Sequence, residues 1–171
     1  LLHPSLGMPQ RIEITRLASS LGREPDSIDV VSDLMIHDID LSLFIARETP
    51  RSLLASGQKI RPDLWDEASA TFSFPNGMVA RLQTSRVSPS TVRTFRLFTE
   101  EAALAVDMVS GETTLYEHKN KNLNPQDLAT EKDPLLAQAK SFLHAIQTKT
   151  QPLVSISDAV AVMETLERIK S

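Results

Sequence analysis

Residues 68 to 118 constrain the fold more than any other part of the chain. Apolar and polar residues alternate there in short runs too closely spaced to hold a helix between them. "ASATFSF" puts Ala68, Ala70, Phe72 and Phe74 on one side of a strand, "PNG" at 75–77 supplies a turn, and "MVARLQTS" brings Met78, Ala80 and Leu82 back on the same side. Residues 92–99, 102–108 and 113–118 repeat the alternation, separated by Glu100-Glu101 and Ser110-Gly111. Parallel neighbours need a crossover of about a dozen residues or more. None is present, so the segment predicts an antiparallel meander and argues against a doubly wound parallel sheet.

The flanking residues add strands at 11–17 ("RIEITRL") and 51–60, and helices at 33–47, 133–148 and 156–170. Ser32 is the expected N-cap of the first helix and Pro50 its stop; Ser155 with Asp158 forms a capping-box start for the last. Leu135, Leu136, Ala139, Phe142, Leu143 and Ile146 share one helical face, as do Ile156, Ala159, Val160, Met163, Leu166 and Ile169. Residues 18–32 and 119–132 read as loops. The sum is an α+β domain, with one mostly antiparallel, open-faced sheet of about six strands and helices packed on one face. The second face would carry Ser69, Thr71, Arg81, Gln83, Arg93 and Arg96, and is open to solvent or to another subunit.

The first helix holds the unusual chemistry. "VVSDLMIHDIDLSLFI" (30–45) is apolar on most sides yet contains Asp33, His37, Asp38 and Asp40. At about 100° per residue, with Asp33 at 0°, His37 falls near 40°, Asp40 near 340° and Phe44 near 20°. These make one narrow stripe, with Asp38 and Ser42 well to the side. A buried unpaired carboxylate is costly, so the stripe must face a cleft or find partners. Three readings fit the spacing. One is helix electrostatics, with Asp33 on the dipole and an ordinary Asp33–His37 pair. Another is an Asp/His metal site, although no HExxH is present and His3, His118 and His144 lend no supporting spacing. The third is a general base, His37, oriented by Asp33 one turn before it.

Composition removes other classes. Eighteen Lys+Arg against 22 Asp+Glu, a net charge of −4 and no basic block argue against nucleic acid as a partner. No run approaches the roughly 18 apolar residues of a membrane helix. The absence of cysteine fits a cytoplasmic protein. The five glycines are too scattered for a GxGxxG or Walker loop, so no cofactor-binding residue is expected here. The start at Leu1-Leu2, without Met, suits a fragment.

"SDLMIHDIDLSLF" resembles the D-x-x-x-H helix of the Gfo/Idh/MocA oxidoreductases. The likeness continues in order through the preceding strand "RIEITRL", the hairpin "FSFPNGMVARLQTS", the helix "SFLHAI", Pro152, and "SISDAVAVMETLERI". It implies that residues 1–171 form one C-terminal substrate-binding and oligomerisation domain, with the N-terminal Rossmann domain and its NAD or NADP site missing. It implies His37 as catalytic acid/base and Asp33 as its orienting acid; the family's catalytic lysine has no counterpart here. Asp40 and Arg16 are expected on the substrate side. The substrate would be the hydroxyl of a sugar, polyol or nucleotide sugar, and "DLMIHDID" is similar to the branch containing UDP-N-acetylglucosamine 3-dehydrogenases. A homo-oligomer through the open sheet face is expected, and the fragment alone should be inactive. A non-catalytic dimerisation domain of the same fold, or a metal-dependent hydrolase or lyase, are the alternatives.

Overall fold

The computed structural model describes residues 6–19, 28–61, 63–117 and 133–171. The expected loop at 119–132 lies outside them, as do His3 and His118. Seven strands form one sheet: β1 (Arg11–Ser19), β2 (Ser52–Gln58), β3 (Glu67–Ser73), β4 (Val79–Ser88), β5 (Val92–Phe98), β6 (Ala102–Asp107) and β7 (Thr113–Glu117). Their order is β2-β3-β4-β1-β5-β6-β7. The sheet thus has seven strands rather than six, and the meander is interrupted. β1 inserts between β4 and β5, parallel to β4 and antiparallel to β5. Every other pairing is antiparallel. Alternation specifies which face a side chain takes but not which strand lies alongside, and this is why the insertion was invisible.

One face is covered. Ile12 and Ile14 of β1, Phe72 of β3, Ala80 and Leu82 of β4, and Leu97 of β5 are buried beneath the first helical segment and the last helix. The first begins with a π turn, Val31–Met35, and continues as α1, Ile36–Ala46; the last is α3, Ile156–Lys170. Val31, Met35 and Ile39 are fully buried on the sheet side. Burial of a large aliphatic side chain is worth about 1.5–3 kcal/mol, so these three hold the segment down without help from helix propensity. α1 ends where Arg47 turns left-handed (φ 58°), three residues before Pro50. At the hairpin, Gly77 takes φ 88°, where a side chain would be strained.

Three expectations change. The cap of the first helix is Asp29, not Ser32: its Oδ1 accepts from the N–H groups of Val31 (2.9 Å) and Ser32 (3.0 Å). Lys170 reaches back to the same carboxylate at 2.9 Å, tying the end of α3 to the start of the helix it packs on. The buried stripe of α3 is Val162, Thr165, Leu166 and Ile169, while Ile156, Val160 and Met163 stay exposed. Helix α2 (Pro134–Thr148) has the expected apolar face, but that face is not against the sheet. Leu135, Phe142 and Ile146 are 78, 56 and 59% exposed, and α2 makes at most marginal contact with the other described elements. The Ser155–Asp158 capping box is formed as expected.

The other face of the sheet is open. Arg11, Glu13 and Arg81 form a ladder of ion pairs across β1 and β4, with the Arg11 guanidinium 4.2 Å above the Phe98 ring. Ser56 and Ser69 hydrogen-bond across β2 and β3 at 2.9 Å. Arg93 does not belong here: it lies directly across from Arg16 and shares the covered face with Phe95 and Leu97. Arg93 and Arg96 are three apart in one strand, so alternation places them on opposite sides. No helix among the described residues is long and apolar enough to cross a membrane.

Candidate active site

The phase of α1 follows from its buried side. With Met35, Asp38, Ile39, Ser42 and Ala46 against the sheet, helical geometry turns His37, Asp40 and Phe44 outward. The expected stripe is present, and His37 is its exposed crest. Asp33 is half-buried one turn earlier, but no hydrogen bond joins it to His37 among the described residues. The π turn gives the reason. The Ile36 N–H bonds to the Val31 carbonyl, five residues back, so the α-type alignment of residues four apart is lost where Asp33 sits.

Asp40 continues the stripe into a groove of about 310 Å³ between α1 and the start of α3, lined also by Phe44, Arg47, Val154 and Asp158. Burial raises the Asp40 carboxyl above its ordinary value, and the negative charge of Asp158 adds to this, while His37 pulls the other way. Asp158 itself is held low by the N–H and hydroxyl of Ser155. The groove wall thus pairs a firmly ionised carboxylate with one more ready to accept a proton. Arg47 lies 4.3 Å over the Phe44 ring.

Arg16 and Asp38 meet. Asp38, set aside from the stripe by its helical angle, is completely buried and points to the sheet. Arg16, on the covered side of β1 with Ile12 and Ile14, grips it. Nε donates to Oδ1 and Oδ2 at 3.0 and 3.1 Å, and Nη2 donates to Oδ1 at 2.6 Å. Arg16 is therefore not a solvated strand end; two of its three nitrogens are spent on Asp38. Burial still pushes the Asp38 carboxyl above its usual value, with Arg16 offsetting only part of that. Two sequence signals point to the pair in hindsight. Arg16 keeps the alternation of Ile12 and Ile14, and Asp38 shares a helical face with Ile39 and Ser42. No group of three or more His, Asp or Glu among the described residues is placed to hold a metal ion.

Comparison with known proteins places this geometry in a family. The chain is 36% identical over 149 residues to UDP-N-acetylglucosamine 3-dehydrogenase of Acidithiobacillus ferrooxidans, covering 82% of this chain and 47% of that protein. A solved structure of that enzyme superposes with a TM-score of 0.86 at 30% identity, over 96% of this chain and 53% of the other. A levoglucosan dehydrogenase, solved with NADH and levoglucosan, shares the fold with a TM-score of 0.82 at 17% identity, over 96% of this chain and 57% of its own. The chain thus spans about half the length of the relatives it matches. With the family model of the GFO/IDH/MocA C-terminal domain matching residues 8–105, over more than half of its length, the chain belongs to the GFO/IDH/MocA oxidoreductase family and has the fold of its C-terminal domain.

Proposed function

We propose that this chain is the substrate-binding and oligomerisation half of an NAD- or NADP-dependent dehydrogenase acting on a sugar or nucleotide-sugar hydroxyl, with His37 as its acid/base. The observation that carries the reading is the outward crest of α1. An exposed imidazole sits one turn from a groove whose wall offers carboxylates to hydroxyl groups. His37 would accept the hydroxyl proton as the carbon bearing it is oxidised, and return it in the reverse direction. Asp40 would bind neighbouring hydroxyls, and Asp33 would orient the imidazole once substrate narrows the space around it. A nicotinamide cofactor would supply the hydride acceptor. The described residues offer no glycine loop to cradle its pyrophosphate, so it would be held by the remaining half of the longer protein.

Two uncovered surfaces support that division. The exposed apolar residues of α2, with Ile156, Val160 and Met163 of α3, would suit contact with the other half of the enzyme. The open sheet face, with its Arg11–Glu13–Arg81 ladder and the exposed Leu54, suits a second copy. A non-catalytic interaction domain is the second reading, favoured by the missing Asp33–His37 bond. One variant separates them. In the full-length protein, His37→Ala should keep cofactor affinity and lose at least about 10²-fold in turnover, measured by steady-state reduction of the nicotinamide. Near-wild-type turnover would remove the catalytic reading.

A further inference from the structure

We infer that Arg16 and Asp38 act as positioning residues for His37, setting the rotation of α1 about its axis and so the direction in which the imidazole leaves it. The inference rests on the proposed role of His37 and goes beyond it by naming what aims the ring.

Asp38 is the next residue after His37, and consecutive side chains on a helix diverge by about 100°. Fixing the direction of Asp38 therefore fixes that of His37. Its carboxylate is completely buried, and it accepts from the nitrogens of one guanidinium, 22 residues away on the central strand. The planar fork of arginine accepts a carboxylate in few orientations. The other sheet-facing contacts of the segment are Val31, Met35, Ile39 and Ala46, whose apolar packing is non-directional. Such contacts hold the helix down but tolerate a twist of some degrees.

The place of the pair matters as well. The π turn ends at Met35, and Asp38 is the third residue beyond it. A junction of π and α turns is where a helix can shift its register. A directional tie just past it stops that shift from reaching His37.

Stability alone explains the pair poorly. Replacing a buried ion pair with apolar residues of similar volume is often neutral or favourable. Across the strands Arg16 faces Arg93, and like charges directly opposite are unfavourable. A leucine or methionine at these sites would pack on Ile14 and Ile39 without either penalty.

The test is a double-mutant cycle in the full-length enzyme. Arg16→Met with Asp38→Leu removes the pair while keeping volume, and Arg16→Lys keeps the charge without the fork; melting temperature serves as the folding control. With the nicotinamide cofactor and UDP-N-acetylglucosamine as probes, kcat should fall about 10- to 100-fold in the paired variant and less in Arg16→Lys, with KM nearly unchanged. In a His37→Ala background the same substitutions should have no further effect on kcat, because their action runs through the ring. Unchanged kcat in both folded variants, or losses that simply multiply with that of His37→Ala, would overturn the inference. Full turnover by His37→Ala alone would instead overturn the underlying assignment, so the two failures are distinct. If the paired variant does not fold, Arg16→Lys carries the cycle by itself.

Discussion

Among the described residues two buried aspartates pair with arginine, Asp38 and Asp66, and the two pairs are built differently. Asp66, 2% exposed, accepts from the backbone N–H groups of Ile60 and Arg61 (3.0 and 2.6 Å) and from the Arg61 side chain (2.9 and 2.7 Å). All its partners lie five or six residues away, so the pair closes the connection between β2 and β3 beside Trp65. The Asp38 carboxylate instead reaches one arginine side chain across 22 residues. Burial would raise both carboxyls. For Asp66 the Arg61 side chain and the backbone donors outweigh burial and bring the carboxyl below its ordinary value; for Asp38 burial wins. A carboxylate surrounded by local donors is a fastener. One whose carboxyl burial raises and a single distant guanidinium holds, next in sequence to the proposed acid/base His37, is better understood as a device for orientation.

Removing each acid alone should show the largest contrast. Asp38→Ala leaves a guanidinium that is 14% exposed with no acceptor and with Arg93 across from it. A loss of about 3–5 kcal/mol is expected. Asp66→Ala should cost less, about 1–3 kcal/mol, because the Arg61 side chain, 31% exposed, can turn to water. Urea unfolding of both variants measures the difference, and equal losses would erase the distinction.

Apolar replacement of both partners should sharpen it with smaller effects. Arg16→Met with Asp38→Leu is expected to fall within about 1 kcal/mol of the parent. Arg61→Met with Asp66→Leu should stay destabilised by about 1–2 kcal/mol, since the Ile60 and Arg61 N–H groups lose their acceptor. The same denaturation curves decide it, and the order of the two double variants is the outcome that matters.

How far the sequence reveals these features depends on the range of the interaction. The strands at 68–118, the turn at Gly77, the Ser155–Asp158 box and the outward stripe of His37 and Asp40 are set by neighbours within a few residues, and they were legible. The insertion of β1 between β4 and β5, the meeting of Arg16 with Asp38 and the tie from Lys170 to Asp29 join distant positions, and periodicity carries no trace of who meets whom. α2 misled for a related reason. Its amphipathic face is real, but an apolar face does not name its partner, and the sheet was only the nearest choice. Ser32 gave way to Asp29 because the helical segment begins earlier than residue 33, which leaves Ser32 inside its first turn and Asp29 at the capping position.

The smallest expected effect concerns pH, and the two aspartates should respond with opposite signs. The folded Asp66 carboxyl lies below the unfolded value of 3.8, so its contribution is complete above that value and is lost as pH falls through the lower, folded one. Against Asp66→Asn, the advantage of the parent should therefore shrink in acid. The folded Asp38 carboxyl lies above 3.8, so folding favours its protonated form. The parent is then at its best below the ordinary carboxylate value and loses stability as pH rises through the raised one. Against Asp38→Asn, the advantage of the parent should grow in acid. Neither slope can exceed about 1.4 kcal/mol per pH unit, the limit for one proton, so the measurement is the sign of each difference in unfolding free energy between roughly pH 3 and 6. Slopes of the same sign would mean that Asp38 is as comfortably ionised as Asp66. The physical contrast between a fastening pair and an orienting one would then have to rest on geometry alone.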